Sequence, residues 1–267
     1  MTIFQSIIIA IVEGITEFIP ISSTAHMRIT ENLMGLSITD KFLEVFTVAI
    51  QLGAILSVVV LYWRKFIDFK RISFYVKLIV AVIPALIFGK LFKEQIDTIL
   101  EKPVIIAIIM LAGGIVLLFV DKWFTRPTIK DEQHIGYFTA LKIGLYQCLS
   151  IIFPGLSRSA ATIIGGMSLK LTRSAAAEFS FFLAVPTMFA ATIYTLYKYI
   201  KENGSFTSEQ IKFLAIGNIV AFVVALIAIK FFITLLKRYG FKMWGVYRII
   251  VGMILLLLIW KGIIAGK

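Results

Sequence analysis

Cysteine is nearly absent from this sequence, since Cys148 is the single one in 267 residues. A lone thiol excludes a disulfide within the chain and a cysteine-based metal cluster. Acidic side chains are also scarce, with 15 Asp and Glu against 27 Lys and Arg, so the net charge is +12. No basic segment precedes the first apolar run, 4–12, and we therefore expect no cleaved signal peptide.

Apolar residues, by contrast, make up 60% of the chain, and the mean hydropathy of +0.95 excludes a soluble domain. Several apolar runs approach the roughly eighteen residues that cross a bilayer, which predicts a polytopic α-helical membrane protein. The basic residues lie between these runs, so they favour contact with an anionic membrane surface over binding to nucleic acid. The predicted spans are 44–63, 74–92, 103–121, 178–199, 211–233 and 244–262.

Two further apolar regions, 3–35 and 136–170, are interrupted by Gly, Pro and Ser and are too polar at their centres for a lipid-facing span. Irregular backbone at membrane depth needs protein or water to satisfy its amides, so we predict that both regions are re-entrant helical hairpins. Displacing the chain against itself lays Glu13 on Gln147 and Ser23 on Ser157, which indicates an internal repeat. The predicted fold is all-α: one membrane domain over 1–267, with six transmembrane helices and two re-entrant hairpins in inverted repeats, approximately 1–125 and 136–267.

The first hairpin carries carboxylates where hydropathy predicts membrane. Glu13 and Glu17 are four residues apart and share one helix face. A carboxylate at mid-bilayer costs roughly 2.5–3.5 kcal/mol, so a pair indicates a cation or a wet cavity. Pro20 ends the helix. The turn that follows offers hydroxyl and imidazole groups from Ser22, Ser23, Thr24 and His26.

The second hairpin carries a guanidinium at its turn. Arg158 lies inside an apolar stretch, where it would be costly without an anionic partner, and its fork of donors matches phosphate oxygens. Gly155 permits a close backbone approach, and a following helix would direct free N–H groups at an anion. Hydroxyls that could bind the same anion are those of Ser157, Ser159 and Thr162.

Loop charges predict the orientation, because cytoplasmic loops carry an excess of Lys and Arg. Two strongly basic loops would face the cytoplasm, which places both termini and the opening of the first hairpin outside. The first of these loops contains Arg64, Lys65, Lys70, Arg71 and Lys77 against Asp68, and the second contains Lys237, Arg238, Lys242 and Arg248.

Both hairpins together resemble the undecaprenyl-diphosphatase family of bacterial membrane enzymes. The resemblance covers the whole chain and is most specific in 13–26 and in 154–162; Ala25 departs from a frequent glycine. It implies hydrolysis of undecaprenyl diphosphate to the monophosphate carrier lipid, with a divalent cation, at the outer face of the bacterial cytoplasmic membrane. It also implies carrier recycling for peptidoglycan synthesis and resistance to bacitracin.

The residues lead to the same chemistry. Glu13 and Glu17 would reach a diphosphate only through a hard cation such as Mg²⁺ or Ca²⁺. Arg158 would balance charge on the transferring phosphoryl group. Ser23 is the nucleophile with His26 as its base, or a metal-bound water attacks and His26 protonates the leaving group; both stay open. We expect Ser22, Ser157, Ser159 and Thr162 to contact substrate.

Two alternatives accompany this interpretation. Ser22 and Ser23 could cap the second helix of the hairpin, and Ser157, Ser159 and Thr162 could pack helices together. An inverted repeat is also a plan of transporters, so a transporter or flippase for an anionic lipid or solute is the second hypothesis. A carrier would need Arg158 but not the acid and nucleophile set. A homodimer is compatible with the sequence.

Overall fold

The computed structural model describes residues 1–37, 39–67, 72–92 and 102–264 of the chain. Helices account for almost all regular structure in these ranges, joined by one isolated bridge between Ile129 and Leu171. In chain order the helices are α1 (Ile3–Thr16), α2 (Ser23–Leu33), α3 (Lys41–Ala49), α4 (Gln51–Leu61), α5 (Trp63–Ile67), α6 (Ile72–Leu91), α7 (Pro103–Trp123), α8 (Tyr137–Ile152), α9 (Arg158–Ser168), α10 (Arg173–Asn203), α11 (Ser208–Tyr239) and α12 (Lys242–Trp260), with a 3-10 turn at Glu132–His134.

Within the described ranges, 6 helical segments are long and apolar enough to cross a membrane, which confirms the prediction. They are α3 with α4 (Lys41–Leu61), α6, α7, α10, α11 and α12. α10 has 31 residues and α11 has 32, longer than predicted. The extension follows from capping: Thr172 and Thr207 accept hydrogen bonds from the first turn of each helix, and Gly204 and Gly240 end them at positive φ.

The two regions predicted as hairpins are pairs of short helices. α1 and α2 have 14 and 11 residues, and α8 and α9 have 16 and 11. At 1.5 Å per residue these helices are about 17–24 Å long, shorter than the roughly 30 Å of hydrocarbon in a bilayer. The described structure therefore has the element lengths that re-entrant hairpins require, and their placement in the membrane stays a prediction.

The two turns end in the same way. Ser22 has φ 71° and Ser157 has φ 76°, and each side chain caps the helix that follows by accepting the N–H of the third residue on. The alignment that laid Ser23 on Ser157 is thus displaced by one residue: Ser22 corresponds to Ser157. Ser23 and Arg158 consequently occupy the same position, the first residue of α2 and of α9.

The first short helix of each half packs on a long helix of the other half. α1 packs on α11, whereas α8 packs on α6. The contacts of α4 with α11 likewise correspond to those of α10 with α6, and α7 pairs with α12. This reciprocity agrees with the predicted inverted repeat and places both turns between the halves.

Lys65 belongs to an ion cluster and is not a free loop charge. Its Nζ donates to Glu132 Oε1 at 2.7 Å and to Glu178 Oε2 at 2.8 Å. Burial raises the pKa of Glu132. Burial also acts to lower the pKa of Lys65, but hydrogen bonds and charges from both carboxylates hold it above its ordinary value. Lys70, Arg71 and Asp68 from the same orientation argument lie outside the described residues.

Candidate active site

The two turns contact each other directly. Ser159 Oγ donates to the carbonyl of Ile19 at 3.0 Å, and Arg158 Nη2 donates to Glu17 Oε1 at 2.9 Å. The first contact is a hydrogen bond from a side chain to the backbone and the second is an ion pair, and together they fix the position of one turn relative to the other. The polar ends of α1 and α9 therefore form one site.

Glu17 is the centre of this site. Its Oε2 accepts the Ser23 hydroxyl at 2.6 Å while Oε1 accepts Arg158, and the residue is 8% exposed. A buried carboxylate that accepts two hydrogen bonds, one of them charge-assisted, is held in one orientation. The arrangement presents a hydroxyl, a proton acceptor and a guanidinium in a continuous chain.

Glu13 lies beside Glu17 with a different status. It is 1% exposed, and among the described residues its Oε1 has no hydrogen-bond partner. Glu13 and Glu17 interact electrostatically. Two neighbouring buried carboxylates repel each other unless a proton or a cation lies between them. An unpartnered buried oxygen next to a second carboxylate fits a hard divalent cation.

A cation here would have few protein ligands. The described residues contain no group of three or more His, Cys, Asp or Glu that could hold a metal ion. Mg²⁺ is commonly bound by one or two carboxylates together with substrate phosphate oxygens and water. Glu13 and Glu17 match that incomplete set, which needs an oxygen-rich substrate to complete it.

Arg158 is held by both of its terminal nitrogens. Nη1 donates to the carbonyl of Ser180 at 3.0 Å, Nη2 donates to Glu17, and the guanidinium lies 5.8 Å from the centre of the Phe18 ring. The side chain is 13% exposed. Its plane is therefore oriented before any ligand arrives.

The predicted substrate-binding hydroxyls have partners within the protein. Ser22 and Ser157 cap α2 and α9, and Ser157 pairs with Ser159 at 2.9 Å. Thr162 Oγ1 donates to the Arg158 carbonyl at 2.9 Å and pairs with Ser180 Oγ at 2.7 Å. These contacts are the structural roles that the sequence left open; contact with substrate stays a prediction.

His26 is not paired with Ser23. Its Nδ1 lies 2.8 Å from the Ser22 carbonyl and its Nε2 lies 2.8 Å from the hydroxyl of Tyr247. Ser23 donates instead to Glu17. The pairing of Ser23 with His26 as nucleophile and base is therefore replaced by Ser23 with Glu17, because Pro20 and the turn bring Glu17 back over the start of α2.

Arg248 was predicted to be a cytoplasmic loop charge, and this prediction is wrong. It lies within α12, is 0% exposed, and donates to four backbone carbonyls. The acceptors are Pro20 of the first turn, Gly155 and Leu156 of the second, and Met110 of α7, at 2.8–3.2 Å. A single Arg inside the predicted span 244–262 was the signal that could have identified it.

Space for Arg248 is provided by α7. A Cβ on Gly113 would lie 2.4 Å from Arg248 Nη2, closer than real Cβ atoms approach. Glycine at this position therefore admits the guanidinium between α7 and α12.

The comparisons with known proteins cover both turns. The family model described as bacitracin resistance protein BacA matches residues 6–254. A Flavobacterium psychrophilum protein named undecaprenyl-diphosphatase is 55% identical over 258 residues, 97% of this chain and 96% of the relative. The protein of that name from Porphyromonas gingivalis strain W83 is 51% identical over 280 residues, 98% of this chain and 99% of the relative. One from Desulfitobacterium hafniense is 41% identical over 267 residues, 96% and 95% of the two chains.

Proposed function

The chain belongs to the bacitracin resistance protein BacA family, and from this premise we propose that its site hydrolyses undecaprenyl diphosphate to undecaprenyl phosphate and phosphate. The product is the carrier lipid that peptidoglycan synthesis reuses, so the activity recycles the carrier and opposes bacitracin. The observation that supports this chemistry is the chain Ser23–Glu17–Arg158, in which a hydroxyl at 2.6 Å and a guanidinium at 2.9 Å donate to the two oxygens of one carboxylate.

The Ser23 hydroxyl is the proposed nucleophile. Its oxygen forms a bond to the terminal phosphorus while the anhydride bond breaks, and the bonding pair leaves with the bridging oxygen on undecaprenyl phosphate. Glu17 Oε2 receives the Ser23 proton, for which it is already in hydrogen-bond contact at 2.6 Å. Water then cleaves the phosphoserine and releases phosphate. Direct attack by water, with Glu17 as the acceptor, is the alternative on the same residues.

Arg158 supplies positive charge where the phosphoryl group gains negative charge. Catalysis of phosphoryl transfer is mostly positioning and electrostatic stabilisation, so an oriented guanidinium contributes without moving. Its contacts with Glu17 and Ser180 keep it at the turn before substrate binds. Ser159 links the second turn to the Ile19 carbonyl of the first, and its hydroxyl, with those of Ser22, Ser157 and Thr162, is proposed to contact the headgroup.

Glu13 and Glu17 are the residues that would hold a divalent cation, Mg²⁺ or Ca²⁺. A cation held there would offset the negative charge of the carboxylates and of the diphosphate. The unpartnered Glu13 Oε1 is the observation that supports this assignment.

The test is phosphate release from undecaprenyl diphosphate by the detergent-purified protein, with Mg²⁺, with Ca²⁺ and after EDTA. We expect release with a divalent cation and its loss in EDTA. No release under any cation would reject the phosphatase function. The reciprocal packing of the two halves favours lipid transport as the second candidate, and movement of a fluorescent polyprenyl phosphate across proteoliposomes would measure it.

A further inference from the structure

The imidazole of His26 has a partner at each ring nitrogen. Nδ1 faces the Ser22 carbonyl and Nε2 faces the Tyr247 hydroxyl, both at 2.8 Å. The rings of His26 and Tyr247 are also nearly parallel, with centroids 5.6 Å apart and planes inclined by 6°. Two hydrogen bonds, one at each ring nitrogen, fix both the position and the rotation of the ring.

These partners determine the tautomer. A carbonyl oxygen can only accept, so Nδ1 must carry the proton in the contact with Ser22. In neutral His26, Nε2 then holds a lone pair and accepts the hydroxyl proton of Tyr247. The nitrogen that can take up a proton is therefore directed at α12 and not at Ser23.

The helix that carries Tyr247 is itself fixed to both turns. The next residue, Arg248, donates to carbonyls of Pro20 and Leu156, one from each turn. Tyr247 is consequently held at a set distance from α2 by a buried neighbour, while its own side chain is 40% exposed. Its hydroxyl lies between the interior of the site and the surroundings.

We propose that Tyr247 is a positioning residue for His26: while the Ser22 carbonyl holds Nδ1–H, the Tyr247 hydroxyl donates to Nε2 and keeps that nitrogen turned away from Ser23. Proton removal from Ser23 is thereby left to Glu17, and Nε2 is the atom of His26 that exchanges protons with the phenol of Tyr247. The catalytic consequence rests on the proposed phosphatase function, but the tautomer does not.

The tautomer can be measured directly because the chain has only 2 histidines, His26 and His134. NMR of ¹⁵N-histidine-labelled protein in detergent micelles reports which ring nitrogen is protonated. His134→Gln leaves His26 as the one labelled imidazole. We expect Nδ1–H in both the parent and Tyr247→Phe, because the Ser22 carbonyl remains, but a changed chemical shift of the unprotonated Nε2 in Tyr247→Phe, which keeps the aromatic ring and removes the hydroxyl that donates to Nε2. Tyr239→Phe, an exposed tyrosine of α11, is the matched control and should leave the spectrum unchanged.

Two spectroscopic outcomes would overturn the proposal. One is an Nε2–H tautomer in the parent protein, and the other is a Tyr247→Phe spectrum identical to that of the parent. Neither depends on turnover, so they remain distinct from a failure of the phosphatase function, which would appear as a parent protein that releases no phosphate.

Kinetics supply the second test. We expect Tyr247→Phe to lower kcat by about fivefold to tenfold, the equivalent of one neutral hydrogen bond, with KM within about twofold. In a His26→Gln background the same substitution should have no further effect, because Tyr247 acts through His26. An equal loss in both backgrounds, or a change confined to KM, would contradict the positioning role.

Discussion

At the scale of single residues, Glu17 serves two partners with its two oxygens. Ser23 donates to Oε2 and Arg158 donates to Oε1, so the carboxylate orients the proposed nucleophile and the guanidinium at the same time. A substitution at Glu17 therefore removes more than one interaction, and its effects on rate and on cation dependence are expected together.

Glu17→Gln keeps the shape of the side chain but replaces the proton acceptor by an amide. We expect kcat to fall by about 10²–10⁴, the usual contribution of a positioned acid or base, and the cation titration to shift to higher concentration. Phosphate release against Mg²⁺ concentration measures both effects. Glu209→Gln, at the exposed start of α11, is the control, and a titration curve equal to that of the parent would remove Glu17 from the cation site.

Arg158→Ala should abolish detectable turnover while the protein remains folded, because the guanidinium is the only positive side chain that contacts Glu17 in the described structure. Arg158→Lys should lose about 10²-fold in kcat, since one ammonium cannot reach both Glu17 and the Ser180 carbonyl. Activity and thermal unfolding are measured in the same micelles, with Arg126→Ala as the control. Activity of the alanine variant within a few-fold of the parent would move the phosphate contact to another residue.

Residues of the two motifs were predictable because their chemistry conflicts with a membrane setting. Two carboxylates in one helix turn and an arginine in an apolar stretch are costly in a membrane. A polar site at the turns of two hairpins explains both. Tyr247 and Arg248 were not predictable as partners, because Tyr247 is 221 positions from His26 and no periodicity relates them. The serines posed a further limit, since capping and substrate binding use the same residue types.

At the scale of elements, α12 acts as a brace for both turns. Its Arg248 has four backbone acceptors on three different segments, and those carbonyls have the guanidinium as their partner across the interface. The four hydrogen bonds together compensate for the burial of the guanidinium. Each carbonyl left unpaired would cost about 1–3 kcal/mol.

Arg248→Met, which keeps the length of the side chain, should lower the free energy of unfolding by about 3 kcal/mol or more. Gly113→Ala should act on the same contact from α7, because the added methyl group would lie 2.4 Å from Nη2. Thermal unfolding in detergent measures both substitutions. If the brace is real, the effects of the two substitutions will be less than additive.

Gly89→Ala is the matched control for this experiment, since a Cβ at that glycine of α6 meets nothing within 4 Å. It should be neutral or slightly stabilising. A Gly113→Ala protein as stable as the Gly89→Ala protein would mean that α7 does not confine the guanidinium.

The spans were the most predictable elements, because long apolar runs leave few alternatives in a bilayer. Pro20 likewise predicted an end to the first short helix, which closes four residues earlier, at Thr16. The lengths of α10 and α11 were underestimated, because hydropathy falls where the helices extend beyond the apolar layer. Thr172 and Thr207 cap their polar first turns, so each helix begins before its apolar run.

At the scale of the whole molecule, reciprocal packing determines where the site lies. α1 rests on α11 and α8 rests on α6, so each turn is supported by a helix of the other half. The two turns meet because the halves are interleaved, a consequence of topology that no local pattern in the sequence contains. The loop charges predict that the first hairpin opens to the outside. The outer face is therefore the predicted side of substrate entry.

Cysteine labelling tests that orientation, and the single Cys148 makes the background simple. In a Cys148→Ala protein, Ser205→Cys should react with a membrane-impermeant maleimide in intact cells, since the loop between α10 and α11 is predicted to lie outside. Thr128→Cys should react only after permeabilisation, because its loop carries Arg126 and Lys130 and is predicted to face the cytoplasm. Both positions are exposed, so access to them depends on the side of the membrane. The opposite labelling pattern would reverse the orientation.

Ser22 and Ser157 hold a left-handed backbone that costs a side-chain-bearing residue roughly 1–2 kcal/mol. Each immediately precedes a residue to which we assign a catalytic role, Ser23 after Ser22 and Arg158 after Ser157. Selection for thermal tolerance alone would replace both with glycine, which adopts this conformation freely. A durable but slower enzyme is the expected product, since the strained backbone that sets the positions of Ser23 and Arg158 beside Glu17 would have relaxed.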